Sequence, residues 1–392
     1  SNFALGIMLA RSLGIEGYGY YSLIWMSVLF VSSIQLASIT TPMMSLGVKK
    51  DSIIRDKYYF SMMILQWIYA SIAMISIFSF FHLIALVDEN WSIGDLVYKI
   101  SIFIFIYLCQ DFLRRYFFVR KKALFVIFMD SIAYVGSVSM AAYLMNFHEL
   151  TLDNLFVIMI TAYFLSVCVA LFNIDAFYID RGYLYRVAKE SALYSQWITM
   201  SSIFQWGTGN FFILFSGSIL GVGAIGAIRA VQNLMGLFHV VFLALENILP
   251  MEFSRVFHKK GYQATLSLLR KYLIMGFLVF IPMFLFSIFF SNELIGFVYG
   301  EDFINYAYIL SWFMVIYLFI YAVTLIKYVL RATERTKSIF IAYLISTVFS
   351  MVSAHLLIQT LGLLGTMIGM VVIQIITIYI VFNELRHQKS LL

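Results

Sequence analysis

Residues 10–23 read A-R-S-L-G-I-E-G-Y-G-Y-Y-S-L, three glycines and an Arg/Glu pair in a chain that elsewhere avoids both charge and backbone freedom. The surrounding composition says which solvent the stretch is built for. Of the 392 residues 62% are apolar and 12% charged, about half the charged share of a soluble domain. Segments without Asp, Glu, Lys or Arg run over 18–48, 58–87, 154–174, 191–228, 272–292, 303–326 and 338–383. Each can hold a helical crossing of roughly 20 residues, and those from 191 and 338 hold more. The alternating polarity of barrel strands is missing, so the crossings are helices, which satisfy their own backbone in lipid.

Breaks and charged connectors predict an all-α polytopic membrane protein with twelve transmembrane helices, near 2–13, 18–46, 58–86, 96–119, 123–146, 152–175, 195–220, 225–250, 270–292, 304–331, 337–358 and 362–383. The first would rise only about 18 Å against a hydrocarbon core of about 30 Å. It is expected to be truncated, a fragment that starts inside its first helix, with no basic region or A-x-A site to mark a signal peptide.

Basic residues set the orientation. Alternate connectors carry Lys49, Lys50, Arg55 and Lys57, then Arg114 to Lys122, Arg181 to Lys189, Arg255 to Lys271, Lys327 to Lys337, and Arg386 with Lys389, which together hold 23 of the 26 basic residues. That face is expected to be cytoplasmic, with both termini inside. The pI near 9 is thus a topology signal and no pointer to nucleic acid. Short loops on the other face carry Glu16, Asp88, Glu89, Asp95, Glu149, Asp153, Glu293, Glu301 and Asp302.

The opening stretch has a second copy. L-G-I-E-G-Y-G-Y-Y at 13–21 answers L-G-V-G-A-I-G-A-I at 220–228, with Gly14 and Gly19 matching Gly221 and Gly226. Pro42 and Pro250, two of only three prolines, are read as closing the helices that follow, and Lys49-Lys50 answers Lys259-Lys260. A weaker echo links 117–125 with 328–340. Six spans per repeat is an even number, so the repeats are parallel, about an axis along the membrane normal. Two parallel six-helix lobes around a central cleft follow, an N-terminal lobe at 1–175, a cytoplasmic linker at 176–194 and a C-terminal lobe with a short tail at 195–392.

The segment A-R-S-L-G-I-E-G-Y-G-Y-Y-S-L resembles the A-R-x-L-G-P-x-x-Y-G-x-Y-S pattern of Wzx-type polysaccharide (O-antigen) flippases, in the multidrug/oligosaccharidyl-lipid/polysaccharide exporter superfamily. Ile15 stands where proline is common, and Gly209-Asn210 stands where an acidic residue is expected. The resemblance implies transport across the bacterial inner membrane of a polyprenyl-diphosphate-linked oligosaccharide repeat unit, of O-antigen or capsule type, by alternating access. A glycan polymerase is an implied partner. A cation-coupled multidrug or toxic-compound antiporter of the same superfamily is the rival reading, and a membrane glycan polymerase or ligase a more distant one.

Arg11 and Arg229 are the candidate substrate-binding charges. Arg11 either meets an anion in the cleft, or snorkels to the interface or pairs with Glu16. Arg229, the only charge between Glu190 and Glu246, is either a cleft arginine or an interfacial anchor. In the flippases this chain resembles, cationic residues meet the anionic lipid-linked sugar, and a guanidinium suits a diphosphate. Gln205 and Asn210, in Q-W-G-T-G-N, either contact sugar or glue helices together. Asp130 is a coupling or gating carboxylate or a structural hydrogen-bonding group. Asp111 has Arg114 and Arg115 at the spacing of intrahelical ion pairs. G-L-L-G-T-M-I-G at 362–369 is a close-packing face. Cys109 and Cys168 are expected to pack as small apolar residues.

No enzyme is expected, since P-loop, H-E-x-x-H and nucleophile-elbow patterns are missing, and the six histidines are scattered. No cofactor or metal is expected either. G-V-G-A-I-G at 221–226 matches a dinucleotide-binding fingerprint but follows a charge-free span instead of a strand.

Overall fold

The computed structural model describes residues 2–87, 93–147, 150–174 and 180–391. Asp88, Glu89, Glu149 and the start of the connector at 176 lie outside the described residues. Among the described residues there are thirteen α-helices: α1 (Asn2–Gln35), α2 (Thr41–Gly47), α3 (Ser52–Val87), α4 (Leu96–Val119), α5 (Ala123–Asp130), α6 (Gly136–Phe147), α7 (Leu152–Leu171), α8 (Arg181–Leu220), α9 (Val222–Leu234), α10 (Gly236–Tyr299), α11 (Ile309–Ala332), α12 (Lys337–Leu361) and α13 (Leu363–Leu391). There is no strand among the described residues, and nine of their helical runs are long and apolar enough to cross a membrane. The chain is a multi-pass membrane protein.

Several boundaries differ from the sequence expectation for physical reasons. The break expected as a loop after residue 13 is a single residue, Gly14, with φ 67° and ψ −174°, after which the helix resumes at once. Gly221 does the same between α8 and α9 at φ 92° and ψ 164°. This left-handed backbone is open to glycine and strained for other residues, so the two repeat copies share a conformation as well as letters. The helices expected at 18–46 and 123–146 each contain a π-helical segment, Leu36–Thr40 and Ser131–Val135.

Pro42 and Pro250 do not close helices. Pro42 lies inside one continuous helical run, directly after the π-helical segment Leu36–Thr40, and Pro250 lies inside α10. The ends fall later, at Lys49-Lys50 and at the Gly261 kink beside Lys259-Lys260, so the helix expected at 225–250 is instead divided at Met235 and runs on to the kink. The weaker echo is also a shared turn. After α4, Lys121 N–H bonds the Phe118 carbonyl and Lys122 N–H that of Phe117; after α11, Glu334 and Arg335 bond Arg331 and Leu330 in the same pattern. Lys121 and Glu334 both take positive φ there, 60° and 59°, as the turn that ends a helix this way requires. α7 starts where Thr151 accepts from the Asn154 N–H at 3.2 Å, with Asp153 in the first turn.

Packing divides the chain into two compact units, Ser1–Met8 with Ile24–Ile203, and Leu9–Leu23 with Phe204–Leu392. In the first, α4 packs against α3 and α7 and is the most buried of the spans. Tyr58, Met62, Phe112, Phe117, Val126 and Met129 form its inner cluster. In the second, α11 packs on α10 and α13, and α13 on α12, around Phe253, Leu325, Val329 and Val381. Large apolar side chains such as Ile72, Leu83, Phe289 and Val352 are exposed, as on a surface wetted by lipid tails.

Candidate functional site

Arg229 sits two turns into α9, whose buried face includes Ile225, Gly226 and Ile228. Its guanidinium donates to Gln232 Oε1 on the same helix and to Asn210 Oδ1 on α8, the latter at 2.5 Å. Its Nε is buried with no acceptor. The hydroxyls of Tyr18 and Tyr317 lie within electrostatic range, and among the described residues no carboxylate pairs with it. A half-buried guanidinium held only by neutral groups has no counter-charge among the described residues, and its geometry suits a phosphate or carboxylate.

Arg229 and Asn210 are therefore brought together, while Gln205 lies outside the cluster. Five residues before Asn210 on α8, Gln205 points about 140° away around the helix and is exposed. Q-W-G-T-G-N divides its work. Thr208 binds Thr347 Oγ1 at 2.8 Å and the Tyr343 carbonyl at 3.1 Å, and a Cβ at Gly207 would crowd Thr347, so this half packs α8 on α12. Asn210 serves Arg229. The glycine-rich face at 362–369 packs as expected: a Cβ at Gly365 would overlap the Leu357 carbonyl, one at Gly369 the Phe212 ring, and Thr366 meets Ser216 at 2.5 Å.

Arg11 has a use that sequence reasoning did not weigh. It donates through Nε to the Val298 carbonyl at 2.9 Å and through a second nitrogen to the Phe297 carbonyl, in the last turn of α10. Positive charge at those orphan carbonyls favours the helix end. Lys99, at a helix end, pairs with Asp153.

In the first unit, Asp130 accepts from Gln110 Nε2 at 3.1 Å and faces Arg114 at 3.9 Å, at the start of the π-helical segment. Asp111 takes Arg114 at 2.7 Å and Arg115 at 3.0 Å, the intrahelical pairs that its spacing predicts. Arg114 thus stands between two carboxylates. Sequence reasoning missed Gln232, which the i, i+3 spacing from Arg229 could have flagged, and Tyr18 and Tyr317, which only the fold brings near. Cys109 is buried and Cys168 half-buried, both as free thiols. Among the described residues no group of three or more His, Cys, Asp or Glu could hold a metal ion.

This helical arrangement is the fold of transporters of the MOP superfamily. The chain is similar to a multidrug resistance MATE family transporter of that superfamily in its inward-facing conformation, with TM-score 0.75, 13% identity, and coverage of 99% of this chain and 94% of that one. It is similar to the lipid II flippase MurJ in an inward closed conformation, with TM-score 0.71, 13% identity, and coverage of 98% and 86%. An outward-facing MATE transporter matches at TM-score 0.59 and 13% identity, over 99% and 91%. The MatE family model matches residues 198–356, less than half of the chain. No curated protein matches the sequence at a significant level.

Proposed function

We propose that this protein is a flippase that carries a polyprenyl-diphosphate-linked oligosaccharide repeat unit, of the O-antigen or capsule type, across a bacterial inner membrane by alternating access. The observation that carries the reading is the guanidinium of Arg229, held by Asn210 and Gln232 with no carboxylate partner among the described residues. An unmatched positive charge inside a membrane protein is costly unless an anion visits it, and a diphosphate is an anion with fitting acceptors. The likeness to MurJ, a lipid II flippase, supports a lipid-linked cargo. The lipid tail stays in the bilayer while the diphosphate and sugars use the path.

The reading takes twelve spans in two parallel six-helix lobes, 1–175 and 195–392, joined by a cytoplasmic linker at 176–194, with both termini inside. Asp130, shared with Gln110 and Arg114, is the coupling or gating carboxylate of this scheme. Arg11 contributes by holding the end of α10, and Gln205 is left for contact with sugar. The test is complementation of a strain deleted for this gene. Arg229→Ala should lose surface glycan at unchanged membrane abundance, and normal export would overturn the reading.

A second reading, a cation-coupled multidrug antiporter, is favoured by the MatE match and the MATE structures. It expects acids along the path, and efflux of a cationic dye that depends on Asp130 and not on Arg229 would establish it in place of the flippase.

A further inference from the structure

The turn shared by the ends of α4 and α11 is one backbone with two chemistries. In the first unit it carries Arg120, Lys121 and Lys122; in the second the matching positions are Thr333, Glu334 and Arg335. Lys121 and Glu334 both hold a left-handed backbone, at φ 60° and 59°, which glycine or asparagine adopts at lower cost. The flanks differ as well. Phe118 and Leu124, on either side of the lysines, are 49% and 84% exposed, where the second unit has Arg331 and Lys337. The first turn is thus a cationic tip in an apolar collar, and the second is charged along its length.

Pairing accounts for only part of the charge in the first turn. Asp111 holds Arg114 and Arg115, and Arg120 pairs with Asp56 while lying 5.0 Å over the Tyr116 ring. Lys122 lies 5.7 Å over the Phe117 ring. Lys121 is exposed, and no carboxylate pairs with it among the described residues. Between Asp111 and Asp130 the sequence has no acid at all. Arg120 already supplies the cation that the end of α4 favours, so two further lysines beside it repel one another unless an anion joins them. In the second unit Arg335 has its counter-charge in Glu384, at 3.0 Å.

The depth of the turn says which anion. α4 has 24 residues and rises about 36 Å, against a hydrocarbon core of about 30 Å. Its end therefore emerges at the level of lipid phosphates, with Phe118 and Leu124 at the boundary where acyl chains begin. We propose that the α4–α5 turn holds one anionic phospholipid of the surrounding leaflet, with Lys121 and Lys122 on its phosphate and the apolar collar against its chains. The site belongs to the first unit alone, and it does not depend on what the protein transports.

The probe is dioleoylphosphatidylglycerol, titrated onto the purified full chain in detergent beside zwitterionic dioleoylphosphatidylcholine, with bound lipid counted by native mass spectrometry. Lys121→Asn with Lys122→Gln removes both charges, and asparagine keeps the left-handed turn. This pair should weaken phosphatidylglycerol binding about thirtyfold, about fivefold for each lysine, at an unchanged unfolding temperature in lipid-free detergent. Arg331→Gln with Lys337→Gln takes the same charge from the second unit and should weaken it less than about twofold. Equal losses from the two pairs would overturn the proposal, since the attraction would then belong to the basic face as a whole. Equal binding of the two lipids would overturn it too. Glycerophosphoglycerol, the same headgroup without chains, should compete poorly, and competition at the lipid's own concentration would make this a site for soluble anions. Leu124→Asn, a change at an exposed position that leaves every charge in place, gives a second reading should the lysine pair fail to fold. It should weaken binding at least about threefold, and unchanged binding would overturn the lipid site.

Discussion

Replacing Asn210 by aspartate would place a carboxylate where an amide oxygen now accepts from Arg229 at 2.5 Å. A unit-charge pair about 4 Å between charge centres, at an effective dielectric near 20, is attracted by about 4 kcal/mol. Desolvating the new carboxylate takes back most of that, leaving about 1–2 kcal/mol of net stabilisation. The consequence for an anionic cargo is larger, because it now meets a neutral pair where it met a cation. Each 1.4 kcal/mol of lost attraction weakens binding about tenfold, so binding should fall by roughly one to two orders of magnitude. Asn210→Asp should therefore export as little surface glycan as Arg229→Ala while unfolding in detergent at the same temperature as the unmodified protein or higher. Asn210→Leu, which frees one nitrogen of the guanidinium but leaves its charge, should keep part of the export and lose stability. Asn210→Asp exporting normally at normal abundance would refute the view that an uncompensated charge at Arg229 does the binding.

An impermeant thiol reagent applied to intact cells should label a cysteine at Asp95 and spare one at Asp51, and the reverse would overturn the topology drawn from the basic connectors. Arg11→Ala removes the cation at the end of α10 and should cost about 0.3–1 kcal/mol, read as a lower unfolding temperature with export falling only as abundance falls. Loss of export at full abundance would instead put Arg11 on the cargo. Asp130→Asn keeps an acceptor for Gln110 and should fold, yet its export should no longer respond to the proton gradient; an unchanged response would leave Asp130 as a structural hydrogen bond. Gly369→Ala drives a methyl into the Phe212 ring and should destabilise by about 1–3 kcal/mol in thermal melts.

The solvent and the helical character of the chain were legible from the sequence because lipid demands long apolar runs and self-satisfied backbone, and both leave their mark in composition. The repeat was legible for a similar reason: a left-handed break at Gly14 and Gly221 and a carbonyl against Gly19 and Gly226 exclude other residues, so the letters had to recur. The Asp111 pairs with Arg114 and Arg115 were legible because helix geometry alone sets them. Helix ends were less so. Pro250 reads as a stop but stands inside α10, since helix-breaking residues are tolerated in membrane helices whose neighbours repair the backbone. The partners of the buried charges were not legible at all. Arg11 finds the carbonyls of Phe297 and Val298, Asn210 lies 19 residues from Arg229, and Tyr18 and Tyr317 come from opposite ends of the chain. Such contacts arise from which helices pack together, and no local pattern of residue types encodes that choice.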